Sequence, residues 1–513
     1  MDREDQDLVS NKKKNKKAKK VNKKKKSVKK VPVMRYKVLS FLLIVLTVIT
    51  FINLFVESIF SFFYLLPIAA FSFFIIFFIS FILNKNKLKR WIKRIFSLFA
   101  ILIIIFELLM ILFGTNTLKF IASITDTGYR VETFGVYVLN DSSYNSLFDV
   151  NDKTFGYLDE GETIKEALKK ISKQIDYERV SKSTTNDLVN SLINEETDAI
   201  LMDISYEAIL RDEQSEKYSR LRLIDKIDVV DIVDTIKSNV NITKDPFVVY
   251  ISGIDTSGNI ASKARSDVNI LLAVNPNTKN VVMVNTPRDF YVTLHSKNKK
   301  DKLTHAGLFG VEESLMTLSD LYDVDIDYYV RINFTSFVKI VDELGGVKVN
   351  VPISFCEQNS KRSKKDGDLI CLKQGSQTLN GEQALALARH RKTIPTGDRG
   401  RGENQMLVLE AIISKAMSPK IVTKYNSLVN ALKGRVTTNM DSNQILSFAR
   451  KQLKNNDVWN FTSLSATGSD SSGVCYATGS GKAYVMEPDK ESVSRIKSAL
   501  NQLFDGEQEI LVN

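Results

Sequence analysis

The chain has 513 residues, more than one hydrophobic core organises, so several units are expected. The net charge of +12 is concentrated: residues 1–40 carry 16 basic and 4 acidic side chains, residues 41–94 are also basic, and the remainder is mildly acidic. That distribution argues against a basic globule that coats nucleic acid.

Residues 1–36 form a polybasic head and residues 37–117 a membrane part. Three apolar stretches, near 37–56, 61–83 and 95–114, divide at Glu57 and at the basic turn NKNKLKRWIKR. Each is about 20 residues, enough for a hydrocarbon layer of roughly 30 Å. The basic head and the basic turn both belong on the cytoplasmic side, and the head suits anionic lipid. Three crossings then put the rest of the chain outside. Glu107 interrupts the third span, where a carboxylate is costly. It implies either a packed position or a contact with a partner.

Residues 118–240 read as an α/β accessory module. RVETFGVYVL alternates like a strand, TIKEALKKISKQI is amphipathic, and DLVNSLINEETDAILMDISYEAIL continues the rhythm. A second domain is expected over 241–513. Its first strands are VVYISGI and the two within NILLAVNPNTKNVVMVNTPRDF, and EESLMTLSDLYDV follows as a helix. Asn333 can cap FTSFVKIVDELGG, which Gly345-Gly346 would stop. A helix capped near Asn380 and another over Glu403–Met417 follow. GSDSSGVCYATGSGKAYVM reads as glycine-rich loops before a terminal helix at ESVSRIKSALNQLF. The alternation predicts an α/β fold with helices on both faces of a sheet.

Cys356 and Cys371 bracket what looks like the excursion of a hairpin, and an outside location permits a disulfide that leaves Cys475 unpaired. The spacing of the cysteines with His295, His305 and His390 suits zinc poorly. The cationic stretch ARHRKTIPTGDRGRGENQ is more telling. Arg389 and Arg391, two apart beyond a helix, face one way with His390 opposite, and Arg401 and Gln405 share a helical face. Arg399 points elsewhere. Guanidinium forks suit phosphate oxygens, and several together suit a diphosphate. Asp255 and Asp267, near strand ends and with Arg265 beside the second, can hold a divalent cation. Arg288 can reach a phosphate while Asp289 supports an arginine. Lys302 and His305 read equally well as a polar structural loop.

The motifs ISGIDTSG, ARSDVN, VNTPRD, KLTHAG, INFTSFVKIVDELGGV, LNGEQALALARHR and GDRGRGENQ together resemble the catalytic domain of the LytR-CpsA-Psr family. The membrane anchor and the segment 118–240 resemble its streptococcal capsule-biosynthesis branch. The resemblance implies an α-β-α layered domain with a central mixed sheet. It implies an enzyme that transfers a glycopolymer, here capsular polysaccharide, from a polyprenyl-pyrophosphate donor to peptidoglycan, and releases polyprenyl phosphate. It places Mg²⁺ or Mn²⁺ on Asp255 and Asp267, and substrate contacts on Arg265, Arg288, Arg389, Arg391, Arg401 and Gln405. Asp267, Asp289, Arg288 and Arg401 are the residues expected to carry the chemistry, with Asp267 or Asp289 open as the base. Many relatives have an arginine before that glutamine; this chain has Asn404. Capsule-assembly membrane proteins are candidate partners. The alternatives are a membrane-bound regulator of capsule synthesis and a phosphohydrolase acting on the same lipid-linked glycan.

Overall fold

The computed structural model describes residues 33–56, 62–85, 88–125, 128–159, 161–232, 236–254, 263–361, 368–394, 398–418, 432, 434–479 and 481–512. The chain divides into two compact units, Met1–Thr115 and Asn116–Asn513.

The first unit holds α1 (Val33–Val56), α2 (Phe62–Asn84) and the start of α3 (Arg90–Ile124). Met34–Ile52, Leu66–Asn84 and Arg90–Leu112 are long and apolar enough to cross a membrane. Glu57, where the first two spans were expected to divide, lies outside the described residues. Leu43, Ile76, Leu83 and Ala100 bury one another, while many phenylalanines on the outer faces, such as Phe71 and Phe74, stay exposed. Glu107 is buried and accepts a hydrogen bond from the Thr47 hydroxyl of α1. This is the packed alternative for that carboxylate. Such interhelical bonds are worth roughly 0.6 kcal/mol in a membrane.

The second unit contains two mixed sheets. The first has five strands, β1 (Tyr129–Leu139), β2 (Lys153–Leu158), β3 (Tyr177–Lys182), β4 (Ala199–Asp203) and β5 (Leu221–Ile232), in the order β3-β2-β4-β1-β5. Helices α4 (Gly161–Ile171) and α5 (Thr185–Ile193) pack on it through Ile164, Leu168, Leu188 and Leu192. A short helix, α6 (Glu207–Glu213), follows β4.

The second sheet begins with β6 (Phe247–Ile254), β7 (Ser266–Asn275) and β8 (Asn280–Asn285). Next come α7 (Val311–Tyr322), β9 (Tyr328–Asn333) and α8 (Phe334–Glu343). Then follow α9 (Gly381–Arg389), α10 (Asp398–Ala416), β10 (Val436–Thr438), α11 (Ser442–Asn455), β11 (Asn460–Ser465) and α12 (Lys490–Phe504). The six strands lie in the order β10-β9-β6-β7-β8-β11. β9 runs parallel to β6 and β11 to β8, while the other neighbours are antiparallel.

Successive residues of β6 face opposite ways, as a pleated strand requires. Val248 and Tyr250 meet α7 and α12 at Leu315, Leu318 and Leu500. Phe247 and Val249 join Met406 of α10 and Phe448 of α11 on the other face. Helices therefore cover both faces of this mixed sheet. Burying each Leu or Phe fully contributes about 1.5–3 kcal/mol.

The caps form as the sequence indicates. Asn333 accepts from the Ser336 N–H at the start of α8, Gly345 and Gly346 end that helix at φ +77° and +79°, and Asn380 with Gln383 makes a capping box on α9. Two boundaries differ. α10 starts at Asp398 rather than Glu403, so Arg399 and Arg401 are helical. The stretch expected as glycine-rich loops forms a hairpin, Gly468–Gly473 against Ala483–Pro488. Its glycines serve close approach: a Cβ on Gly468 would strike the Glu487 carbonyl, and one on Gly473 would strike the Tyr291 ring. Cys356 and Cys371 oppose each other across a short hairpin and are disulfide-bonded, and Cys475 is a buried free thiol.

Candidate functional site

The topology collects chain ends at one edge of the six-stranded sheet. β6 and β9 run in parallel and finish at Ile254 and Asn333. β7 is antiparallel to them, so it begins at that edge with Ser266-Asp267, and β8 returns there before Arg288. Crevices outside the carboxyl ends of parallel strands are where α/β sheets bind ligands.

α9 and α10 bring the remaining cations. His390 ends α9 in extended conformation, with its N–H bonded to the Ala386 carbonyl. Its ring is buried and stacks on Phe355, with centroids 4.0 Å apart. Nδ1 is 3.2 Å from Glu357 Oε2 and Nε2 is 2.6 Å from the Thr393 hydroxyl. This anchored histidine sends Arg389 and Arg391 to the other side, as their two-residue spacing suggests. Arg401 and Gln405, one turn apart on α10, line the same cavity.

The cavity has a volume of about 770 Å³. Arg265, Arg288, Arg389, Arg391 and Arg401 line one part of it with Asp267 and Gln405. Ile251, Val330, Phe337, Leu385, Leu409 and Ile412 line another. Of these, Leu409 and Ile412 come from the apolar side of α10. The apolar residues Leu315 and Leu318 of α7 belong to the core instead. The lining holds seven cationic side chains against three carboxylates, so its charge calls for an anion.

Asp267 is the ionic centre. Arg288 donates to its Oδ1 at 2.9 Å, with side-chain exposures of 23% and 11%. Burial works to raise the Asp267 pKa but is outweighed by Arg288, then Arg265 and Arg401, which hold the carboxyl below its usual range. Asp289 lies 3.5 Å from Arg288 Nε, the supporting position expected for it, and lines an adjoining cavity. Arg389 donates to the Asn359 carbonyl at 3.3 Å and lies over the Phe334 ring. Burial lowers its pKa, opposed by Glu357, Glu382 and Asp267. Gln405 donates to the Ala388 carbonyl, and Asn404 is buried with its amide on the Leu387 carbonyl. Arg399 lies 3.6 Å from Glu403 and does not line the cavity.

The fit of a divalent ion rests on the hard oxygen donors. Asp267, whose Oδ1 accepts from Arg288, offers a hard carboxylate donor of the kind that suits magnesium or manganese sharing phosphate and water ligands. Asp255, the second expected ligand, lies outside the described residues.

Three residues of α6 were not singled out from the sequence. Arg211 and Asp212 line the cavity, Asp212 pairs with Arg265 at 2.6 Å, and Glu213 pairs with Lys302 at 2.5 Å. They come from the five-stranded sheet's segment, more than fifty residues before Arg265, so no local spacing signals them.

Comparison with known proteins gives consistent matches. A sequence model described as the LytR_cpsA_psr family matches residues 208–493. The chain is 34% identical over 240 residues to the polyisoprenyl-teichoic acid–peptidoglycan teichoic acid transferase TagU of Bacillus subtilis (strain 168), covering 45% of this chain and 72% of that protein. It is 32% identical over 271 residues to TagU of Enterococcus faecalis (strain ATCC 700802 / V583), covering 52% and 83% respectively. The crystal structure of B. subtilis TagV aligns with a TM-score of 0.43 at 30% identity, covering 51% of this chain and 98% of that one.

Proposed function

We propose, because this chain belongs to the LytR-CpsA-Psr family, that it is a membrane-anchored glycopolymer transferase joining a polyprenyl-diphosphate-linked polymer to peptidoglycan. The observation that carries the reading is one cavity with two characters. Its cluster of arginines suits a diphosphate, and its aliphatic lining suits a polyprenyl tail. The relatives' names describe transfer of polyisoprenyl-linked teichoic acid to peptidoglycan. The polymer we assign here is capsular polysaccharide, on the likeness of the anchor and the five-stranded module to the capsule branch. The positive-inside rule supports a cytoplasmic head and an extracellular site.

In this mechanism Arg389, Arg391 and Arg401 grip the diphosphate oxygens, and Arg265 turns from Asp212 to join them. Arg288, held between Asp267 and Asp289, orients the phosphoryl group nearer the sugar. The acceptor hydroxyl attacks that phosphorus and polyprenyl phosphate leaves. Asp267, with Asp255, would hold a magnesium or manganese ion, which would supply further charge neutralisation for the diphosphate. Catalysis is positional and electrostatic, with no covalent enzyme intermediate.

The test is cellular. In a strain whose only copy carries Arg389→Ala, capsular polysaccharide should be shed to the medium and lost from purified peptidoglycan. Full retention of polymer on the wall, with the variant present in the membrane, contradicts the reading.

A further inference from the structure

We propose, building on the transferase reading above, that a second cavity beside the first is the acceptor-sugar subsite and that His305 takes the acceptor hydroxyl's proton. This cavity, of about 380 Å³, shares Asp212, Arg265, Arg288 and Arg391 with the first. A hydroxyl bound in it therefore lies beside Arg288, which orients the phosphoryl group, and beside Arg265 and Arg391, which grip the diphosphate.

On its wall Thr304 Oγ1 and His305 Nε2 are buried with no hydrogen-bond partner among the described residues. Leaving such an atom unsatisfied costs about 1–3 kcal/mol, and adjacent cases on one cavity wall point to a ligand with matching groups. A saccharide bearing hydroxyls has that chemistry.

The neighbours of His305 fix its role. Nδ1 lies 2.6 Å from Asp301 Oδ1, which also accepts the Lys302 N–H at 2.7 Å, while Oδ2 accepts the Ala477 N–H at 2.8 Å. A carboxylate so placed holds the ring with Nδ1 protonated and leaves a lone pair on Nε2. Asp301, His305 and Cys475 also have the spacing of a metal cluster. Asp301 already takes three N–H donors, however, so a hydroxyl is the better partner for Nε2. The charged groups around the ring are Asp301 and Lys302 from its own segment and Glu213 from α6, with the Cys475 thiol beside Asp301. Glu213 Oε1 lies 3.9 Å from Nε2, too far for a hydrogen bond.

In the step, the acceptor O–H bond breaks and its proton moves to Nε2. The oxygen forms a P–O bond to the sugar-side phosphorus. The bridging P–O bond breaks with its electron pair on polyprenyl phosphate, and the imidazolium returns the proton to that phosphate or to water. His305 is thus a catalytic residue, and Asp301 a positioning residue.

The test uses the full chain in detergent with a synthetic polyprenyl-diphosphate oligosaccharide, a peptidoglycan fragment, and farnesyl diphosphate as a binding probe. His305→Gln should bind farnesyl diphosphate like the parent, yet transfer at least about a hundredfold more slowly. Its residual rate should lack the parent's fall at low pH. Thr304→Val should raise the acceptor KM while changing kcat little. If His305→Gln transfers as fast as the parent with the same pH profile, or loses farnesyl diphosphate binding as well, the assignment is overturned and the transferase reading stands. If the parent itself makes no linked product, the transferase reading falls and takes this assignment with it.

Discussion

Arg391→Ala separates ligand binding from folding more cleanly than any other change at the site. The Arg391 side chain is exposed, lines both cavities, and makes no hydrogen bond or ion pair among the described residues. Its removal should therefore leave stability within about 0.5 kcal/mol of the parent. A charge-assisted hydrogen bond to a diphosphate oxygen is worth about 1.5–3 kcal/mol, so affinity for the donor should fall roughly 10- to 150-fold. Arg288→Ala is the contrast. It strips the hydrogen-bonding partner from the largely buried Asp267 carboxylate, and breaking such a pair costs about 3–5 kcal/mol. Arg265 and Arg401 remain to compensate, so the low end applies. Titration calorimetry with farnesyl diphosphate and thermal unfolding of the same preparations give both numbers. Unchanged affinity in a folded Arg391→Ala protein would refute the placement of the diphosphate among these arginines.

Other outcomes follow from the same geometry. The Asp267 carboxyl is held below its ordinary pKa, so it adds stability that is complete above the unfolded value of about 3.9 and lost as pH falls through the folded value. In EDTA, the stability gap between the parent and Asp267→Asn should be constant near neutrality and close in acid; denaturant titrations across pH will show it. Gly381→Ala should cost about 1–3 kcal/mol, because its Cβ would collide with the Val338 carbonyl where α9 meets α8. A parental melting temperature would contradict that packing. Cys475 is buried and its thiol is pushed up to about 12, by burial first and then by Asp301. Iodoacetamide near pH 8 should leave it unmodified in the native protein and label it after unfolding, as read by mass spectrometry.

Much of this architecture is legible in local sequence because local rules determine it. The caps at Asn333 and Asn380, the glycine stop after α8, and the opposed directions of His390 and its flanking arginines depend on neighbours within a few residues. Arg401 and Gln405 stay on one face even though α10 begins earlier than expected, since their four-residue spacing does not depend on where the helix starts. The hairpin at Gly468–Gly473 was hidden because glycine signals a loop locally, while here it relieves contacts with Glu487 of the opposing strand and with Tyr291 from a distant segment. Asp212 and Glu213 were hidden for the same reason: only the tertiary fold sets them against Arg265 and Lys302. His305 is intermediate. Its i,i+4 relation to Asp301 is visible in the sequence, but the unpaired Nε2 at a cavity wall is not.

The most direct measurement incubates the full chain with a synthetic polyprenyl-diphosphate glycan, magnesium and peptidoglycan fragments, then identifies both products by mass spectrometry. Transfer predicts glycosyl phosphate covalently attached to peptidoglycan, with one polyprenyl phosphate released per link. Free glycosyl phosphate with unmodified peptidoglycan, or tight donor binding with no product at all, would contradict it.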